Sequence, residues 1–368
     1  MASTSAAYGI ESGVGSRGAR TVRQILADTQ RVVEPARRAA VDAFPVEIGR
    51  VAGYHAGWWD AEGRPTDGAG KAVRPALALA CARAVGGGHT EAAGNDAAVA
   101  AAVAVELVHD FSLLHDDVMD GDTTRRHRPA AWAVFGVREA ILVGDALLAA
   151  AMQQVISVAG AGADSAAAAR VLAAAVQELC EGQSADLAFE ERAEISLDEC
   201  AAMAEGKTGA LLGAACQLGA MAGITGGSDQ AGAVAVARYR AFGRHLGLAF
   251  QLVDDLLGIW GDPAVTGKPV GSDLLSRKKS LPVVAALRSG TSAGKRLAWL
   301  YQRAEPLDEG SVADAAELVA SAGGRVWARA EADRHFDAAM DALTEAGPAP
   351  DAAADLRTLA ELITRRDH

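Results

Sequence analysis

The sequence predicts an all-α protein, a single large helical bundle around a deep central cavity. Apolar residues recur at helical spacing in long blocks from Thr21 onward, separated by clusters of Gly, Pro and Asp. Half of the residues are hydrophobic but only 5% are aromatic, and a core of Ala, Val and Leu suits closely packed helices better than sheets. Two of the apolar helices also carry paired carboxylates, which need a polar cavity to remain ionised.

The chain is long enough for two or three average domains, but its pattern predicts one. The chain has 368 residues, and from Thr21 onward its helical pattern has one exception, the polar segment at residues 261–280, and contains one pair of matched acidic motifs. We therefore expect an all-helical domain over residues 21–368. Residues 1–20 are rich in Ser, Gly and Ala without periodicity, which predicts a disordered N-terminal tail.

The net charge of −12 and the pI near 5.2 disfavour a general nucleic-acid or anionic-membrane binder, since such proteins gain affinity from a positive surface. The N-terminus lacks a basic region followed by an apolar stretch, and Glu106 interrupts the most apolar segment, residues 97–105, well short of a membrane span. The chain is therefore expected to be cytoplasmic. The four cysteines form no CxxC pair and are predicted to be buried, reduced thiols: Cys81, Cys180, Cys200 and Cys216.

The first chemically informative segment, residues 106–120, reads ELVHDFSLLHDDVMD and has the apolar spacing of a helix. Asp116 and Asp120 are four residues apart, so they lie on one face, close enough to share hard cations. Asp117 is rotated by about 100° and is expected to assist from behind that face. Taken alone, the motif also fits a solvated acidic helix end, but its apolar flanks favour burial.

A second apolar helical segment, residues 249–259, reads AFQLVDDLLGI and carries Asp254 and Asp255. Buried carboxylates without partners are too costly to remain ionised. Two such helices therefore predict facing walls of one cavity that bind divalent cations through oxygen atoms. Mg²⁺ fits best, because it accepts few protein carboxylates and completes its octahedron with water and phosphate oxygens.

Basic residues adjoin the ends of helices and turns near the acidic motifs, where they are suited to hold phosphate groups. Each of them alone is more often a solvated surface charge, but their clustering favours a binding role. The set consists of Lys71, Arg74, Arg125, Arg126, Lys207 and Lys268. Lys268 belongs to residues 261–280, a polar segment that breaks the helical pattern. A long polar loop inside a compact domain is usually functional or disordered.

With these motifs the chain resembles the trans-isoprenyl diphosphate synthase family, closest to its geranylgeranyl diphosphate synthases, over about residues 71–282. The resemblance implies the isoprenoid synthase type of helical fold and a homodimer. It implies a Mg²⁺-dependent, head-to-tail condensation of isopentenyl diphosphate with an allylic diphosphate. It also implies three Mg²⁺ ions in each active site when substrate is bound.

The resemblance also assigns roles residue by residue. The metal ligands are the carboxylates of the two motifs, Asp116, Asp117, Asp120, Asp254 and Asp255. The residues expected to be catalytic are Asp116, Asp120, Arg125, Lys207, Asp254 and Lys268. By the same resemblance, the aspartates act through the Mg²⁺ that they hold, and the Lys and Arg groups absorb charge that develops on the departing diphosphate directly.

Substrate-binding residues follow from the same resemblance. Those expected to bind isopentenyl diphosphate are Lys71, Arg74, His109 and Arg126. Those expected to bind the allylic diphosphate are Arg125, Lys207 and Lys268. Other residues that match family positions in the cavity are Gln183, Asp186, Thr208 and Gln251.

The chain departs from the family pattern in two motifs. Gly258 replaces the last Asp of the second motif, DDLLG, which leaves Asp254 as the expected direct metal ligand. Ala69 and Ala72 stand where the family usually has Gly and Arg. The second departure weakens part of the expected isopentenyl diphosphate site.

Product length should depend on the depth of the pocket below the first acidic motif. Phe111 lies five residues before Asp116 and next to the small Ser112, with no insertion in DDVMD. An aromatic ring at this position resembles synthases that stop at C20, so geranylgeranyl diphosphate is the expected main product. Farnesyl diphosphate and longer polyprenyl diphosphates are the alternatives.

Three rival interpretations remain open at this stage. A class I terpene cyclase also ionises an allylic diphosphate with Mg²⁺, but it has a different second metal motif and does not use isopentenyl diphosphate. A catalytically silent subunit would not need the intact acids and paired arginines. A plain helical scaffold would show no response to metal.

Overall fold

The computed structural model describes residues 20–66, 68, 70–86, 96–156, 165–224, 230–262, 270–303 and 307–364. Apart from Arg20, the predicted N-terminal tail lies outside the described residues. Ala69 and Lys268 also lie outside them.

The described residues are almost entirely helical, which confirms the all-α prediction. In chain order the helices are α1 (Val22–Asp42), α2 (Val46–Ala56), α3 (Val73–Val85), α4 (Asp96–Met119), α5 (Ala131–Phe135), α6 (Val137–Ile156), α7 (Ser165–Glu191), α8 (Leu197–Ala204), α9 (Ala210–Gly223), α10 (Gln230–Trp260), α11 (Ser272–Leu275), α12 (Leu281–Arg288), α13 (Ser292–Tyr301), α14 (Glu309–Ser321), α15 (Gly324–Glu345) and α16 (Pro350–Thr364). A π-helical turn, Glu205–Gly209, joins α8 to α9. Two short strands, β1 (Thr124–Arg125) and β2 (Arg128–Pro129), form an antiparallel hairpin between α4 and α5.

Local sequence sets the start of two helices through reciprocal caps. At α1 the Thr21 side chain accepts a hydrogen bond from the Gln24 N–H, and the Gln24 side chain accepts one from the Thr21 N–H. Ser196 and Glu199 form the same capping box at α8. These caps satisfy N–H groups that have no partner within the helix, so both boundaries follow from the sequence.

Two long helices, α4 and α10, carry the acidic motifs. α4 packs against α3, α6 and α9, and α10 packs against α9 and α15. α4 and α6 are both long and apolar enough to cross a membrane. In α4 the apolar segment does not end at Glu106, because the helix continues through that residue to Met119. However, 78% of the most apolar window of α4 is buried inside the protein, against 39% for α6. α4 is therefore a core helix, and a cytoplasmic location stays a prediction.

Helices α3 and α9 pack with their main chains in contact. A Cβ atom at Gly219 would overlap the main chain of Ala78, and one at Gly223 would overlap that of Ala82. Because glycine has no side chain at these positions, the two helices approach more closely than larger residues allow. The contact fixes α3, which carries Arg74 near its start, against the body of the bundle.

Among the cysteines, all four are free, and three are buried as predicted: Cys81, Cys200 and Cys216. The prediction is wrong for Cys180, which is exposed on α7. α7 is so rich in alanine that its apolar spacing does not distinguish its solvent-facing side from its buried side.

Two Gly→Ala substitutions, one at the contact of α3 with α9 and one at an exposed position of α14, should have opposite effects on the free energy of unfolding. Gly219→Ala should lower the free energy of unfolding by about 1–3 kcal/mol, because the new methyl group overlaps the Ala78 main chain. Gly310→Ala, at an exposed helical position where the new methyl group would meet only the Asp308 carboxylate at an ordinary contact distance of 3.7 Å, should raise it by up to about 1 kcal/mol. Urea denaturation of both variants measures these changes. A neutral Gly219→Ala would contradict main-chain contact between the helices.

Candidate active site

The last turn of α4 presents two carboxylates of the first motif toward neighbouring polar groups. Asp116 is partly buried, and this burial raises its pKa to about 6 despite the nearby Lys207 ammonium. Asp120 is exposed and accepts a hydrogen bond of 3.3 Å from Nε2 of Gln183 on α7. The structure thus brings four of the predicted residues, from α4, α7 and the π turn, to one place.

Asp117 points away from this group, as its 100° rotation along the helix requires. Its side chain is 1% exposed and accepts a hydrogen bond of 2.8 Å from Nε of Arg125, at the end of β1. Burial raises the pKa of Asp117 even though Arg125 opposes the shift. The Oδ2 atom of Asp117 is buried without a hydrogen-bond partner. Asp117 therefore holds the Arg125 guanidinium in place beside the first motif.

The second acidic motif divides its two carboxylates between different environments. Asp254 is exposed, whereas Asp255 is 4% exposed and accepts hydrogen bonds from Nε2 of Gln251 (2.8 Å) and the Leu281 N–H (2.9 Å). Burial raises the pKa of Asp255 to about 7. The Thr208 hydroxyl donates to Oε1 of Gln251 at 2.7 Å. Hydrogen bonds thus link the side chains of Thr208, Gln251 and Asp255, next to the exposed Asp254.

The π-helical turn carries Lys207 between the two acidic walls. The Lys207 Nζ atom donates to Oδ2 of Asp186, on α7, at 2.7 Å. A Cβ atom at Gly182 would overlap the Lys207 main chain, so α7 and the π turn are in backbone contact. A single π turn inside a helix shifts the side chains that follow it and is frequent at functional sites. Here it places an ammonium group beside carboxylates from two other helices.

Lys278 is a further basic residue of the site, and sequence reasoning did not select it. Burial alone would lower its pKa, but four surrounding carboxylates outweigh that effect and raise the pKa well above its usual value. These carboxylates are Asp255, Asp273, Asp186 and Asp254. The basic run at residues 277–279 was the available signal, but it does not reveal which side chain points inward. The neighbouring Lys279 instead donates to the main-chain oxygen atoms of Phe189 and Glu190.

The position of Gly258 has a structural explanation. A Cβ atom at this residue would overlap the carboxylate of Asp273, at the start of α11. The space next to Gly258 on α10 is therefore filled by a carboxylate from another part of the chain. Asp273 is far from the DDLLG motif in the sequence, so the motif alone did not reveal it.

A separate cavity of about 460 Å³ lies beside α3 and α4. Its polar side includes the four residues predicted to bind isopentenyl diphosphate, namely Lys71, Arg74, His109 and Arg126. Its other side is apolar and is lined by Leu212, Phe250, Leu362 and Ile363. The structure thus groups these four predicted residues in one cavity with an excess of positive charge.

His109 is neutral in this cavity. Burial lowers its pKa well below the usual range, and the nearby cations Arg74 and Arg126 lower it further. Nη1 of Arg74 lies 3.1 Å from Nε2 of His109. Because arginine only donates hydrogen bonds, Nε2 accepts and the imidazole proton resides on Nδ1.

The backbone around the cavity adopts unusual conformations. Arg126 and His127, the two turn residues of the β1–β2 hairpin, have φ angles of 52° and 61°, and Ala72 has a φ of 52°. Left-handed conformations are rare for residues other than glycine, and they cluster at functional sites. The hairpin turn directs the Arg126 guanidinium against Gly70 in the loop that carries Lys71.

A buried charge cluster supports α4 behind His109. Nη2 of Arg37, on α1, donates to Oδ2 of Asp110 at 2.5 Å, and both side chains are buried. His55 of α2 lies 3.9 Å from Asp110, and burial lowers its pKa to about 4. This support was not predicted from the sequence, because its residues come from separate helices.

The carboxylates suit Mg²⁺ chemically, although they are not gathered around one point. In the described part of the chain, no three His, Cys, Asp or Glu side chains converge as a metal site. Basic side chains separate the acids instead, with Arg125 on Asp117 and Lys207 on Asp186. The raised pKa of Asp116 and the unpartnered oxygen of Asp117 indicate negative charge that is not fully balanced. Oxygen ligands of this kind fit a hard divalent cation.

Comparison with known proteins agrees with this geometry. The polyprenyl synthetase family model matches residues 64–319. The chain is 44% identical over 374 aligned positions to a (2E,6E)-farnesyl diphosphate synthase of Mycobacterium tuberculosis, covering 100% of this chain and 99% of the relative. It is 45% identical over 337 positions to a geranylgeranyl diphosphate synthase of the same organism, covering 90% and 91%.

Solved structures give the same result. The crystal structure of a polyprenyl synthetase from Streptomyces coelicolor A3(2) is 43% identical, with a TM-score of 0.84, and the match covers 93% of this chain and 99% of that one. The fold, the geometry of the site and the sequence identity therefore all indicate the same family. The chain belongs to the polyprenyl synthetase family, the trans-isoprenyl diphosphate synthases.

Proposed function

We propose that this prenyltransferase condenses isopentenyl diphosphate with an allylic diphosphate to make geranylgeranyl diphosphate, C20, as its main product. Head-to-tail elongation of a prenyl chain is the activity of its family. The observation that carries the proposal is the pairing of two polar sites in one bundle. One is the acidic site of Asp116, Asp120 and Asp254, and the other is the cation-lined cavity around Lys71 and Arg74.

The two sites suit two diphosphate substrates. In the proposed reaction, the cavity around Lys71, Arg74 and Arg126 binds isopentenyl diphosphate. Asp116, Asp120 and Asp254 bind Mg²⁺, three ions with substrate present, on the allylic side. Electrostatic stabilisation of the departing diphosphate is the chemistry that Mg²⁺ supplies when it is bound.

The chain's own groups would complete this stabilisation. The Lys207 and Lys278 ammonium groups and the Arg125 guanidinium donate hydrogen bonds to the departing diphosphate, together with Lys268 from the polar segment. Charge-assisted hydrogen bonds of this kind are about twice as strong as neutral ones. The buried apolar helices keep water from the carbocation, and released diphosphate accepts the proton, so no side-chain base is needed.

Phe111 supports the C20 product. Its ring is 6% exposed and packs edge-on against His115, with the ring centroids 4.9 Å apart. His115 in turn lies against Gly144 of α6. In the proposed function this stack forms the floor of the allylic pocket, beside the small, buried Ser112, whose hydroxyl donates a hydrogen bond to the His109 main-chain oxygen. The named relatives divide between farnesyl and geranylgeranyl products, so farnesyl diphosphate is the alternative.

The function is tested by incubating the purified protein with Mg²⁺, isopentenyl diphosphate and one allylic diphosphate, either dimethylallyl, geranyl or farnesyl. Products are dephosphorylated and identified by mass spectrometry. Linear C20 alcohol is expected as the main product. Mainly C15 alcohol would establish the farnesyl alternative, and hydrocarbon formed without isopentenyl diphosphate would indicate a terpene cyclase.

Phe111→Ala should lengthen the products beyond C20, because removing the ring opens space below the first motif. Phe111→Leu should lengthen them less, since it removes less volume and disturbs the core less. Phe242→Ala is the matched control, because it removes the same buried ring from α10 in a different core cluster and should leave C20 dominant. Chain lengths are read by reverse-phase chromatography. Unchanged products from both Phe111 variants would show that the pocket floor lies elsewhere.

Mg²⁺ should stabilise the protein less as the pH falls. Among the carboxylates proposed to bind the ion, Asp116 has a pKa that burial raises to about 6, so it holds its proton at a higher pH than usual. Protonated carboxyls must lose their protons before they bind metal. The increase in melting temperature caused by Mg²⁺ should therefore be larger at about pH 8 than at about pH 5.5.

Differential scanning fluorimetry with and without Mg²⁺ measures this difference. Asp116→Asn removes a titrating ligand and should lose most of the response to Mg²⁺ at both pH values. Equal stabilisation of the unaltered protein at both pH values would mean that these carboxylates do not bind the ion.

We also propose a homodimer formed through α6. This helix is apolar yet much less buried than α4, and it exposes Ile141 by 39% and Leu142 by 61%. Exposed apolar surface of this kind marks protein contacts. Leu142→Asp should shift the protein from dimer to monomer in light scattering after size exclusion. Val326→Asp, at an exposed apolar residue of α15, is the control and should leave the mass unchanged. A monomeric unaltered protein would contradict the proposal.

A further inference from the structure

The last described helix closes the cation-lined cavity. Leu362 and Ile363, near the end of α16, line this cavity together with Lys71 and with Arg74 of α3. The position of α16 relative to α3 therefore sets the width of the cavity. Whatever fixes this helix along its length also influences what the cavity binds.

A buried carboxylate fixes α16 two turns before Leu362 and Ile363. Asp355 is 3% exposed, and it accepts hydrogen bonds from Nε of Arg20 at 3.1 Å and from Nη2 of Arg83 at 2.5 Å. A second Arg20 nitrogen, Nη2, also bonds to Asp355. One carboxylate thus joins three parts of the chain, namely α16, α3 and the residue before the first helix.

The apolar contacts of α16 do not by themselves define the position of this helix along its axis. Leu356, Leu359 and Ile363 bury the inner face of the helix and keep it docked. However, apolar burial is not directional, so it tolerates small shifts along the helix axis. Hydrogen bonds between charged groups have defined geometry and are stronger than neutral ones. The Asp355 contacts therefore select one position of α16 among those that its apolar face allows.

Helix α1 connects the same carboxylate to the opposite side of the cavity. Arg20 directly precedes α1, and Gln30 within α1 donates from Nε2 to the main-chain oxygen of Gly70 at 2.9 Å. Gly70 is adjacent to Lys71 and lines the cavity. The start of the chain is thus bonded both to the helix that forms the apolar wall and to the loop that carries Lys71.

We infer that Asp355, held by Arg20 and Arg83, is a positioning residue that sets the distance between the two sides of this cavity and thereby its affinity for isopentenyl diphosphate. This inference rests on the proposed function, in which the cavity binds that substrate. Asp355 does not touch the substrate itself. Its effect is expected on the isopentenyl side and not at the acidic site of Asp116.

The test is steady-state kinetics of Asp355→Asn in the full-length chain. The amide has nearly the same shape but no charge, and it accepts only one of the guanidinium groups well. The KM for isopentenyl diphosphate should rise about tenfold, a change within the range that residues without ligand contact exert on a coupled site. The KM for the allylic diphosphate and kcat should change by less than about twofold.

Asp28→Asn is the matched control. Asp28 is half exposed and lies 3.3 Å from the same Arg20, so this substitution removes an exposed partner of the guanidinium by the same chemical change. Exposed ion pairs contribute little, and both KM values should stay unchanged. Arg20→Gln is a second test in case Asp355→Asn does not fold. It removes a less buried charge and should also raise only the KM for isopentenyl diphosphate.

Different outcomes separate the positioning role from the proposed function. If the unaltered protein does not consume isopentenyl diphosphate, the proposed function fails, and the positioning role fails with it. If the unaltered protein elongates normally but Asp355→Asn and Arg20→Gln leave the KM for isopentenyl diphosphate unchanged, only the positioning role is wrong. Equal rises in both KM values would indicate a general loss of structure and would also overturn it.

Discussion

The repulsion among carboxylates at the ends of buried helices is the constraint on which this site depends. Apolar helices must bury their surface, yet they carry acids that resist burial unless cations compensate them. In the protein, basic side chains from other elements provide this compensation. Arg125 binds Asp117, and Lys207 binds Asp186. The same arrangement leaves Asp254 exposed. The site is therefore stable as folded and retains accessible carboxylates for a metal ion.

Close contact between main chains makes this pairing of acidic and basic side chains possible. α7 touches the π turn at Gly182, and this contact brings Lys207 within hydrogen-bonding distance of Asp186. Gly258 leaves space on α10 that the Asp273 carboxylate occupies. Where a side chain is missing from one helix, a charged group from another fills the space. Small residues thus determine the charge geometry of the site as directly as the charged residues do.

The second cavity depends on support from outside its own lining. Helix α1 contributes no lining residue but reaches the surrounding structure three times: before its start through Arg20 to Asp355, through Gln30 to Gly70, and through Arg37 to Asp110. These contacts hold α16, the Lys71 loop and α4 respectively. Of the three contacts, the Arg37–Asp110 pair is buried on both sides, and each contact has the defined geometry of a hydrogen bond. The N-terminal helix is therefore a scaffold for both sides of the cavity.

The sequence by itself determined the all-α fold and the grouping of Asp116 with Asp120, because helical spacing fixes which residues of one helix share a face. The grouping of Lys71, Arg74, His109 and Arg126 was expected only from the family resemblance, because these residues lie on separate elements and no helical spacing relates them. Only the tertiary structure decided that Lys278 points inward, that Asp273 fills the space beside Gly258, and that Asp355 connects Arg20 to Arg83. These contacts join residues far apart in the chain, and no local periodicity encodes which distant helix supplies the partner of a buried charge.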